Sequence, residues 1–280
     1  MKNSDLHTHS YYSDGELSPR KIVMLAKKRG LKNIALTDHT SVKGVREAIN
    51  EGKKIGIEVI PAIEFRFDDG EILGYFIDVD NKKLKEAIGI IQKRQQDRIR
   101  KTCKILKKAG YDISFGEIQK RWPNAKGNYN GFHPIFLLHL KMKKSPFEII
   151  DEIGAKGILG QKMRDYSGVK VIKLIKKAKG VSVLAHPWFS EESLKKKNFE
   201  KLVKAGLKGL EISNGDISPL KTRKIHNKIK KLAKKYNLIL TRGTDFHGSN
   251  RAKLMLGKHD LGENNCDEKI VKKLEKLANN

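Results

Sequence analysis

Short apolar runs alternating with longer helical stretches constrain the fold of this 280-residue chain most strongly. Seven runs are predicted as strands: Ser4–Thr8, Asn33–Thr37, Glu58–Phe65, Ile72–Ile77, Val181–Ala185, Gly209–Ile212 and Leu238–Thr241. Stretches of helical periodicity separate most of them, and such strand–helix repetition is typical of a parallel sheet or barrel. The first helix is clearly marked, because Ser18 is a good N-cap and Pro19 takes the first helical position. We therefore predict an α/β fold.

The strand–helix rhythm breaks between residues 81 and 170, where little resembles a strand. A long basic helical pattern, Lys82–Ala109, opens this segment. We predict a catalytic barrel made of residues 1–80 and 171–280, and a helical insertion, residues 81–170, that covers the substrate.

Composition limits the class of protein and of partner. No apolar run approaches the roughly 18 residues that a membrane span needs, and the N-terminus does not resemble a signal peptide. We expect a cytoplasmic protein without a membrane partner. The formal charge is +27, with 59 Lys and Arg against 32 Asp and Glu. Such a field attracts anions, and an anionic substrate such as a nucleotide or short RNA would fit. Lysines on solvated helix faces, without a role in substrate choice, are the alternative.

Titratable side chains gather where the predicted strands end. The set is His7, His9, Asp14, Asp38, His39, Glu64, His186, Asp245 and His247. In barrels and open α/β sheets, active sites form at the carboxyl ends of strands. Residues i and i+2 of an extended strand point to the same side, so His7 and His9 project together, as do Asp245 and His247. These two pairs become neighbours if the sheet closes into a barrel.

The chemistry of this set favours metal binding. Imidazole and carboxylate without thiolate suit Zn²⁺, Mn²⁺ or Fe²⁺ better than Ca²⁺, and Mg²⁺ stays a candidate. At least eight candidate ligands are too many for one ion, so we predict two or three divalent ions. Ions roughly 3.5–4 Å apart can activate water and neutralise the oxygens of a phosphoester. Each motif alone has a structural alternative, and their joint position at strand ends favours the metal site.

The same residues carry a family resemblance. The motifs are Asp5–Ser10 with Ser13–Gly15, Ala35–His39, Val59–Glu64, Leu73–Asp78, Leu184–Pro187 and Gly243–Gly248. Their sequences and their order resemble those of the PHP (polymerase and histidinol phosphatase) superfamily. The segment Leu73–Asp78, the helical insertion and the ending Asp245–Gly248 resemble the stand-alone branch of that superfamily. Members of that branch are nucleoside 3′,5′-bisphosphate phosphatases and 5′-to-3′ exonucleases acting on short RNA. The resemblance implies a distorted (β/α)7 barrel with a helical insertion. It also implies catalytic metal ligands at His7, His9, Asp14, His39, Glu64, His186, Asp245 and His247.

Three positions depart from the branch pattern. Glu71 stands where the branch usually has a metal-ligating histidine, and we count it among the ligands because a carboxylate also binds metal. Gly131 stands where an arginine often holds substrate phosphate, and Ile217 where relatives tend to have histidine. Lys162 and Arg164 are candidates to compensate as substrate-binding residues.

The insertion contributes one further candidate, His133, in the segment Asn-Gly-Phe-His-Pro. It is predicted to contact a substrate phosphate, with a structural role as the alternative. The predicted function is hydrolysis, by metal-activated water, of a terminal phosphate or 5′ nucleotide from nucleoside bisphosphates or short RNA. The alternatives are a small-metabolite phosphatase, such as one for histidinol phosphate, and a catalytically silent metal- or RNA-binding module.

Overall fold

A computed structural model describes residues 2–155, 166–189, 191–212, 219–249 and 260–279. Within these residues, eight strands form a sheet in the order β7-β6-β5-β4-β3-β2-β1-β8. The strands are β1 (Lys2–Thr8), β2 (Asn33–Leu36), β3 (Glu58–Phe67), β4 (Gly70–Tyr75), β5 (Val181–Ala185), β6 (Gly209–Glu211), β7 (Ile239–Thr241) and β8 (Cys266–Asp267). All seven predicted strands are present, and the two-residue β8 is an addition to them.

Strand direction decides which residues share an edge of the sheet. The pairs β1–β2, β2–β3, β5–β6 and β6–β7 are parallel, whereas β4 is antiparallel to both β3 and β5. Six strands therefore run the same way and end at one edge. Because β4 runs oppositely, its first residues lie at that same edge.

The sheet nearly closes on itself, because the chain after β7 runs beside β1. The amide of His9 donates to the carbonyl of Phe246 at 2.8 Å, and the amide of Phe246 donates to the carbonyl of His7 at 3.2 Å. The buried carboxylate of Asp5 accepts hydrogen bonds from the amide and hydroxyl of Thr244 at 3.0 and 2.6 Å. The predicted distorted barrel is confirmed.

Besides two short 3-10 helices, Pro123–Ala125 and Glu191–Leu194, the described residues contain ten α-helices. They are α1 (Pro19–Lys28), α2 (Val45–Ile55), α3 (Lys82–Lys108), α4 (Phe115–Arg121), α5 (Phe132–Met142), α6 (Pro146–Ala155), α7 (Gly168–Lys177), α8 (Lys196–Ala205), α9 (Pro219–Lys235) and α10 (Glu268–Ala278). Ser18 caps α1 as predicted, since its side chain accepts from the Lys21 amide. None of the helices in the described part of the chain is long and apolar enough to cross a membrane.

Two apolar clusters show where the chain packs. Inside the barrel, Leu6, Leu73 and Tyr75 are fully buried, and the Tyr75 hydroxyl donates to the Leu6 carbonyl at 2.9 Å. A separate cluster lies within the helices α3 to α6, where Ile118 and Ile149 are fully buried. The helices α3 to α6 thus share an apolar core, whereas Leu84 and Ile88 in the first part of α3 pack with the barrel.

The insertion meets the barrel beside the strand ends. The side-chain amide of Gln92 on α3 donates to the carbonyl of Thr40 at 2.8 Å. The side-chain amide of Asn130 donates to the Asp14 carboxylate at 2.9 Å. These contacts place α3 and the segment before α5 against the loops that follow the first two strands.

Candidate metal centre

The nine predicted metal ligands lie together at the carboxyl edge of the sheet. His7 lies on β1 and His9 directly follows it, His39 follows β2, Glu64 lies on β3 and His186 follows β5. Asp14, Asp245 and His247 lie in the loops after β1 and β7. Glu71 reaches the same edge because it is the second residue of the antiparallel β4. Strand direction thus brings residues far apart in sequence into one cluster.

A first group contains His7, His9, Glu64 and Asp245. The Nε2 atoms of His7 and His9 each lie 3.3 Å from Glu64 Oε2. The same two nitrogen atoms lie 3.4 and 3.1 Å from Asp245 Oδ1. The expected neighbourhood of the first and last strands is therefore present, and these four side chains could hold one ion.

A second group contains His9, Asp14, His39 and His247. Asp14 Oδ1 lies 3.2 Å from His247 Nε2 and 3.8 Å from His39 Nε2. The rings of His9 and His247 stack with centroids 4.1 Å apart. Since His9 belongs to both groups, the two candidate ion positions are adjacent.

A third group joins His39, Glu64 and Glu71. His39 Nδ1 lies 3.0 Å from Glu64 Oε2 and 3.8 Å from Glu71 Oε1. His186 completes this side, with its Nε2 atom 3.1 Å from Glu64 Oε1 and 3.4 Å from Glu71 Oε2. Glu64 therefore lies at the centre of the cluster, and the overlapping groups are typical of a polynuclear metal site.

An unsatisfied nitrogen atom shows that the residues fit a cation. The ring of His7 is fully buried, and its Nε2 atom has no hydrogen-bond partner although carboxylate oxygens surround it. Buried polar atoms are nearly always paired, so such an atom calls for a ligand. Imidazole nitrogen and carboxylate oxygen are the donor set of zinc and manganese sites.

The charges in the cluster favour protonated imidazole at His7 and His39 and ionised carboxylate at Glu64. Burial would lower the pKa of His7, but Glu211 and Glu64 raise this pKa well above its ordinary value. Burial likewise opposes the charge of His39, whose pKa the surrounding carboxylates, Glu64 foremost, raise to about 9. Burial disfavours ionised Glu64, yet His7 and His39 hold the pKa of this carboxyl well below its ordinary value. By contrast, burial and His39 lower the pKa of His9. Divalent cations would replace these imidazole protons.

Glu211, at the end of β6, orients two predicted ligands. Its Oε1 atom lies 3.0 Å from His7 Nδ1, and its Oε2 atom accepts the backbone amide of His186 at 2.8 Å. A carboxylate on one ring nitrogen leaves the other nitrogen free for metal and makes it more basic. Sequence reasoning missed this residue, although it ends a predicted strand as the other site residues do.

Glu211→Gln is expected to weaken metal binding and turnover by about 10–100-fold, the usual effect of losing such an orienting carboxylate. Glutamine retains the size but not the negative charge beside His7. Metal titration and initial rates at several metal concentrations measure the effect, and excess metal should restore part of the rate. Glu200→Gln is the control, since partly exposed Glu200 on α8 accepts a hydrogen bond from the Tyr236 hydroxyl and is not among the candidate ligands. Equal metal affinity in Glu211→Gln and the wild type would contradict the orienting role.

Asp38 precedes the candidate ligand His39, but its carboxylate binds the loop after β1. Its carboxylate accepts from the amide and hydroxyl of Ser10 at 2.7 and 2.6 Å and from the Ser13 hydroxyl at 2.7 Å. These bonds hold the loop between β1 and α1, which carries Asp14. Asp38 therefore positions a candidate ligand.

Gly243 allows the segment after β7 to approach β1 closely. A Cβ atom added there would lie 2.3 Å from the Cβ of His7 and 2.5 Å from its backbone nitrogen. Two residues later, Asp245 has a φ of 52°, a conformation that is strained for a non-glycine residue and often found at functional sites. Close approach of the two segments holds Asp245 against the histidines.

Gly243→Ala is expected to destabilise the protein by about 1–3 kcal/mol, the usual cost of overpacking, and to lower metal occupancy by displacing His7. Thermal unfolding and metal content per chain measure both effects. Gly116→Ala is the matched control, because a Cβ there would meet only the Ser114 hydroxyl oxygen at 4.0 Å. A Gly243→Ala protein with wild-type stability and full occupancy would show that the segments have room to separate.

The predicted substrate-binding residues are placed differently. His133 is fully buried at the start of α5, where its Nδ1 accepts from the Asn130 amide at 3.0 Å and its ring packs edge-on against Trp122. A direct contact of His133 with substrate stays a prediction. Lys162, Arg164 and Ile217 lie outside the described residues.

Two arginines that the sequence did not single out line a cleft at the edge of the cluster. Arg66 and Arg98 lie there together with His39, Glu71 and Gly131. Arg66 faces Glu71 across the β3–β4 pair, and its Nε donates to Glu71 Oε1 at 3.0 Å. Sequence reasoning could not pair these two arginines, because β3 and α3 converge only in the folded chain. A basic substrate site stays a prediction.

The sequence match over the barrel decides the family. A family model described as PHP domain matches residues 5–242. The chain belongs to the PHP family. With the clustered histidines and carboxylates, this membership makes the protein a metal-dependent phosphoesterase of that family.

Relatives match nearly the whole chain at low identity. A 5′-3′ exoribonuclease of Haemophilus influenzae is 27% identical over 270 residues, covering 88% of this chain and 90% of the relative. A 3′,5′-nucleoside bisphosphate phosphatase of Chromobacterium violaceum is 27% identical over 263 residues, with 88% of each chain covered. A phosphoribosyl 1,2-cyclic phosphate 1,2-diphosphodiesterase of Eggerthella lenta is 24% identical over 255 residues, covering 87% of this chain and 94% of the relative.

Solved structures share the fold. A protein of Bifidobacterium adolescentis superposes with a TM-score of 0.81 at 23% identity, covering 98% of this chain and 96% of that one. This likeness extends over both the barrel and the helical insertion.

Proposed function

We propose that this protein hydrolyses a terminal phosphate, or releases a 5′ nucleotide, from nucleoside bisphosphates or short RNA. The observation that carries the proposal is the position of Arg66 and Arg98 beside the histidine–carboxylate cluster. Two guanidinium groups next to a cation site can bind one phosphate while a second phosphate lies on the ions. A substrate with two phosphates, or a polynucleotide, uses both.

The cluster is proposed to hold two or three divalent ions, with Mn²⁺, Zn²⁺, Fe²⁺ and Mg²⁺ as candidates. Its ligands would be His7, His9, Asp14, His39, Glu64, Glu71, His186, Asp245 and His247. When bound, such ions lower the pKa of water and neutralise charge on phosphate oxygens. The protein supplies the spacing of the ligands, and Glu211 keeps the free nitrogen of His7 directed at the cluster.

The insertion, residues 81–170, is proposed to cover the substrate over a barrel of residues 1–80 and 171–280. The Asn130–Asp14 hydrogen bond and the Arg98 position support this role, because both bring the insertion to the edge of the cluster. The strongly positive chain, at +27, would speed capture of an anionic substrate.

Two other functions remain candidates for the same site. A small-metabolite phosphatase, such as one for histidinol phosphate, would use the cluster but leave one of the arginines without a phosphate. The Eggerthella lenta relative is named for a cyclic phosphate diester, so a small phosphoribosyl ester is a further candidate substrate. A catalytically silent metal- or RNA-binding module is disfavoured by the complete ligand set.

The testing experiment measures product release by metal-stripped protein after addition of Mn²⁺, Mg²⁺ or Zn²⁺. The substrates are adenosine 3′,5′-bisphosphate, a 5′-phosphorylated short RNA, histidinol phosphate and a phosphoribosyl 1,2-cyclic phosphate. Metal-dependent turnover of the bisphosphate or RNA at least tenfold faster than of the other two is the expected result. Turnover of only a small ester would overturn the substrate class, and salt-sensitive RNA binding without turnover would favour the binding module.

A further inference from the structure

A cavity of about 610 Å³ lies between the barrel and the insertion. Its walls are Tyr11 and residues 14–17 of the β1–α1 loop, residues 121–124 at the end of α4 and after it, and one side of α5. Sites for small molecules commonly enclose roughly 300–1,000 Å³, so the cavity is large enough for an organic group.

This cavity adjoins the candidate metal centre. Asp14 lines it, and Oδ1 of the same carboxylate lies 3.2 Å from His247 Nε2. Asn130, which donates to the other oxygen of Asp14, lies in the cleft that contains Arg66 and Arg98. A ligand with a phosphate at the cluster could therefore extend its remaining part into this cavity.

Aromatic rings form much of the cavity wall. Tyr11, Trp122, Phe132 and Phe136 all line it and are all partly exposed. Phe132 and Phe136 lie one helical turn apart on α5, with stacked rings whose centroids are 4.9 Å apart. The Trp122 ring lies 6.2 Å from that of Phe136. Phe132 and Phe136 cover one face of each other, and the Arg121 guanidinium lies 5.5 Å from the Trp122 ring centroid. The remaining, partly exposed ring surface around the cavity is where a flat group can stack.

Polar groups share the same cavity and narrow the class of ligand. Glu16, Arg121, Asn124 and His139 line it together with the rings. An acyl chain would desolvate these charged and polar side chains and offer them no hydrogen bonds of its own, which is unfavourable. A free phosphate would make no use of the rings. A heteroaromatic ring system with donors and acceptors on its edge satisfies both parts of the wall.

We infer that this cavity is the nucleobase subsite of the substrate, an inference that rests on the proposed function. The base stacks against Trp122 and Phe132, and its edge faces the polar groups of the β1–α1 loop and α5. The subsite selects nucleotides over other phosphate esters, while the metal cluster carries out the hydrolysis. The base is thereby recognised mainly through its ring faces, so several bases are accepted.

Calorimetry on the metal-loaded full chain tests the inference, with adenosine 5′-monophosphate and ribose 5-phosphate as the two probes. Stacking of one base contributes about 1–3 kcal/mol, so the nucleotide should bind roughly 5–150-fold more tightly than the sugar phosphate. Trp122→Leu and Phe132→Leu should each reduce this preference by about half or more, with little change in the binding of ribose 5-phosphate. Two variants are used because Trp122 also packs against the insertion core.

Phe147→Leu is the matched control, because Phe147 lies on α6 of the same insertion, is 40% exposed and does not line the cavity. It should keep the full preference for the nucleotide. Equal binding of the two probes, binding of neither, or an unchanged preference in both cavity variants would overturn the inference. If the nucleotide preference holds and depends on the rings while no nucleotide is hydrolysed, the subsite stands and the proposed function fails. If the bisphosphate is hydrolysed but the nucleotide binds no more tightly than ribose 5-phosphate, the proposed function stands and the subsite fails.

Discussion

Glu64→Gln is expected to reduce kcat/KM by about 10²–10⁴ and to lower the number of ions bound per chain. Glu64 lies within 3.3 Å of His7, His9 and His39 and is fully buried. The neighbouring imidazoles hold the pKa of this carboxyl well below its ordinary value, so the residue contributes a full negative charge. Glutamine preserves the shape and removes that charge from the centre of the cluster.

Metal content by mass spectrometry of the purified chain and initial rates with added metal measure the two effects. Glu58→Gln is the matched control, because Glu58 begins the same strand at the opposite edge and is exposed. It should retain the wild-type rate within about twofold, as surface substitutions usually do. Full metal content together with full activity in Glu64→Gln would remove the central residue from the proposed site.

The double variant Arg66→Gln/Arg98→Gln is expected to lower kcat/KM for adenosine 3′,5′-bisphosphate by about 10²–10⁴. Hydrogen bonds to a charged group contribute roughly 1.5–3 kcal/mol each, and two such bonds to phosphate would be lost. Each single variant should show a part of the loss. Metal content should stay unchanged, which separates phosphate binding from a structural effect on Glu71, the ion-pair partner of Arg66.

Arg100→Gln is the control for this pair of substitutions. Arg100 lies on α3 two residues after Arg98, is exposed and pairs with Asp97 at 3.2 Å. Removing it lowers the charge of the chain by the same amount as one single variant. If Arg100→Gln slowed the reaction as much as Arg98→Gln, the effect would come from the general positive field and not from the cleft. An unchanged rate in the double variant would exclude a phosphate contact there.

The family resemblance does not extend to positions 71 and 131, and the structure shows what surrounds both residues. Gly131 stands at the N-cap of α5, and a Cβ added there would meet no atom within 4 Å. The space beside it belongs to the cleft lined by Arg66 and Arg98. Glu71, in place of a histidine, brings a negative charge that pairs with Arg66. We expect the two departures to act together, since a carboxylate at position 71 fixes the guanidinium that faces the cleft.

Much of the fold could be predicted from periodicity alone. The strand and helix patterns depend on local hydrophobic spacing, and the capping of α1 by Ser18 depends on neighbours within one turn. The direction of β4 could not be predicted in this way. An antiparallel strand has the same local pattern as a parallel one. The direction follows from the short connection between Phe67 and Gly70, which cannot hold a parallel crossover and forces a hairpin in which Arg66 pairs with Glu71.

The sequence by itself determined which side chains could form the metal centre, because ligand types at strand ends share an edge in any parallel sheet or barrel. Only the tertiary structure decided their distances, the closure that brings His7 to Asp245, and the orienting contact of Glu211. The tertiary structure also decided that Arg66 and Arg98 meet in one cleft and that aromatic side chains enclose a cavity. These depend on how the insertion packs over the barrel, and a basic helix such as α3 presents many similar cations, of which the packing brings Arg98 to the cleft.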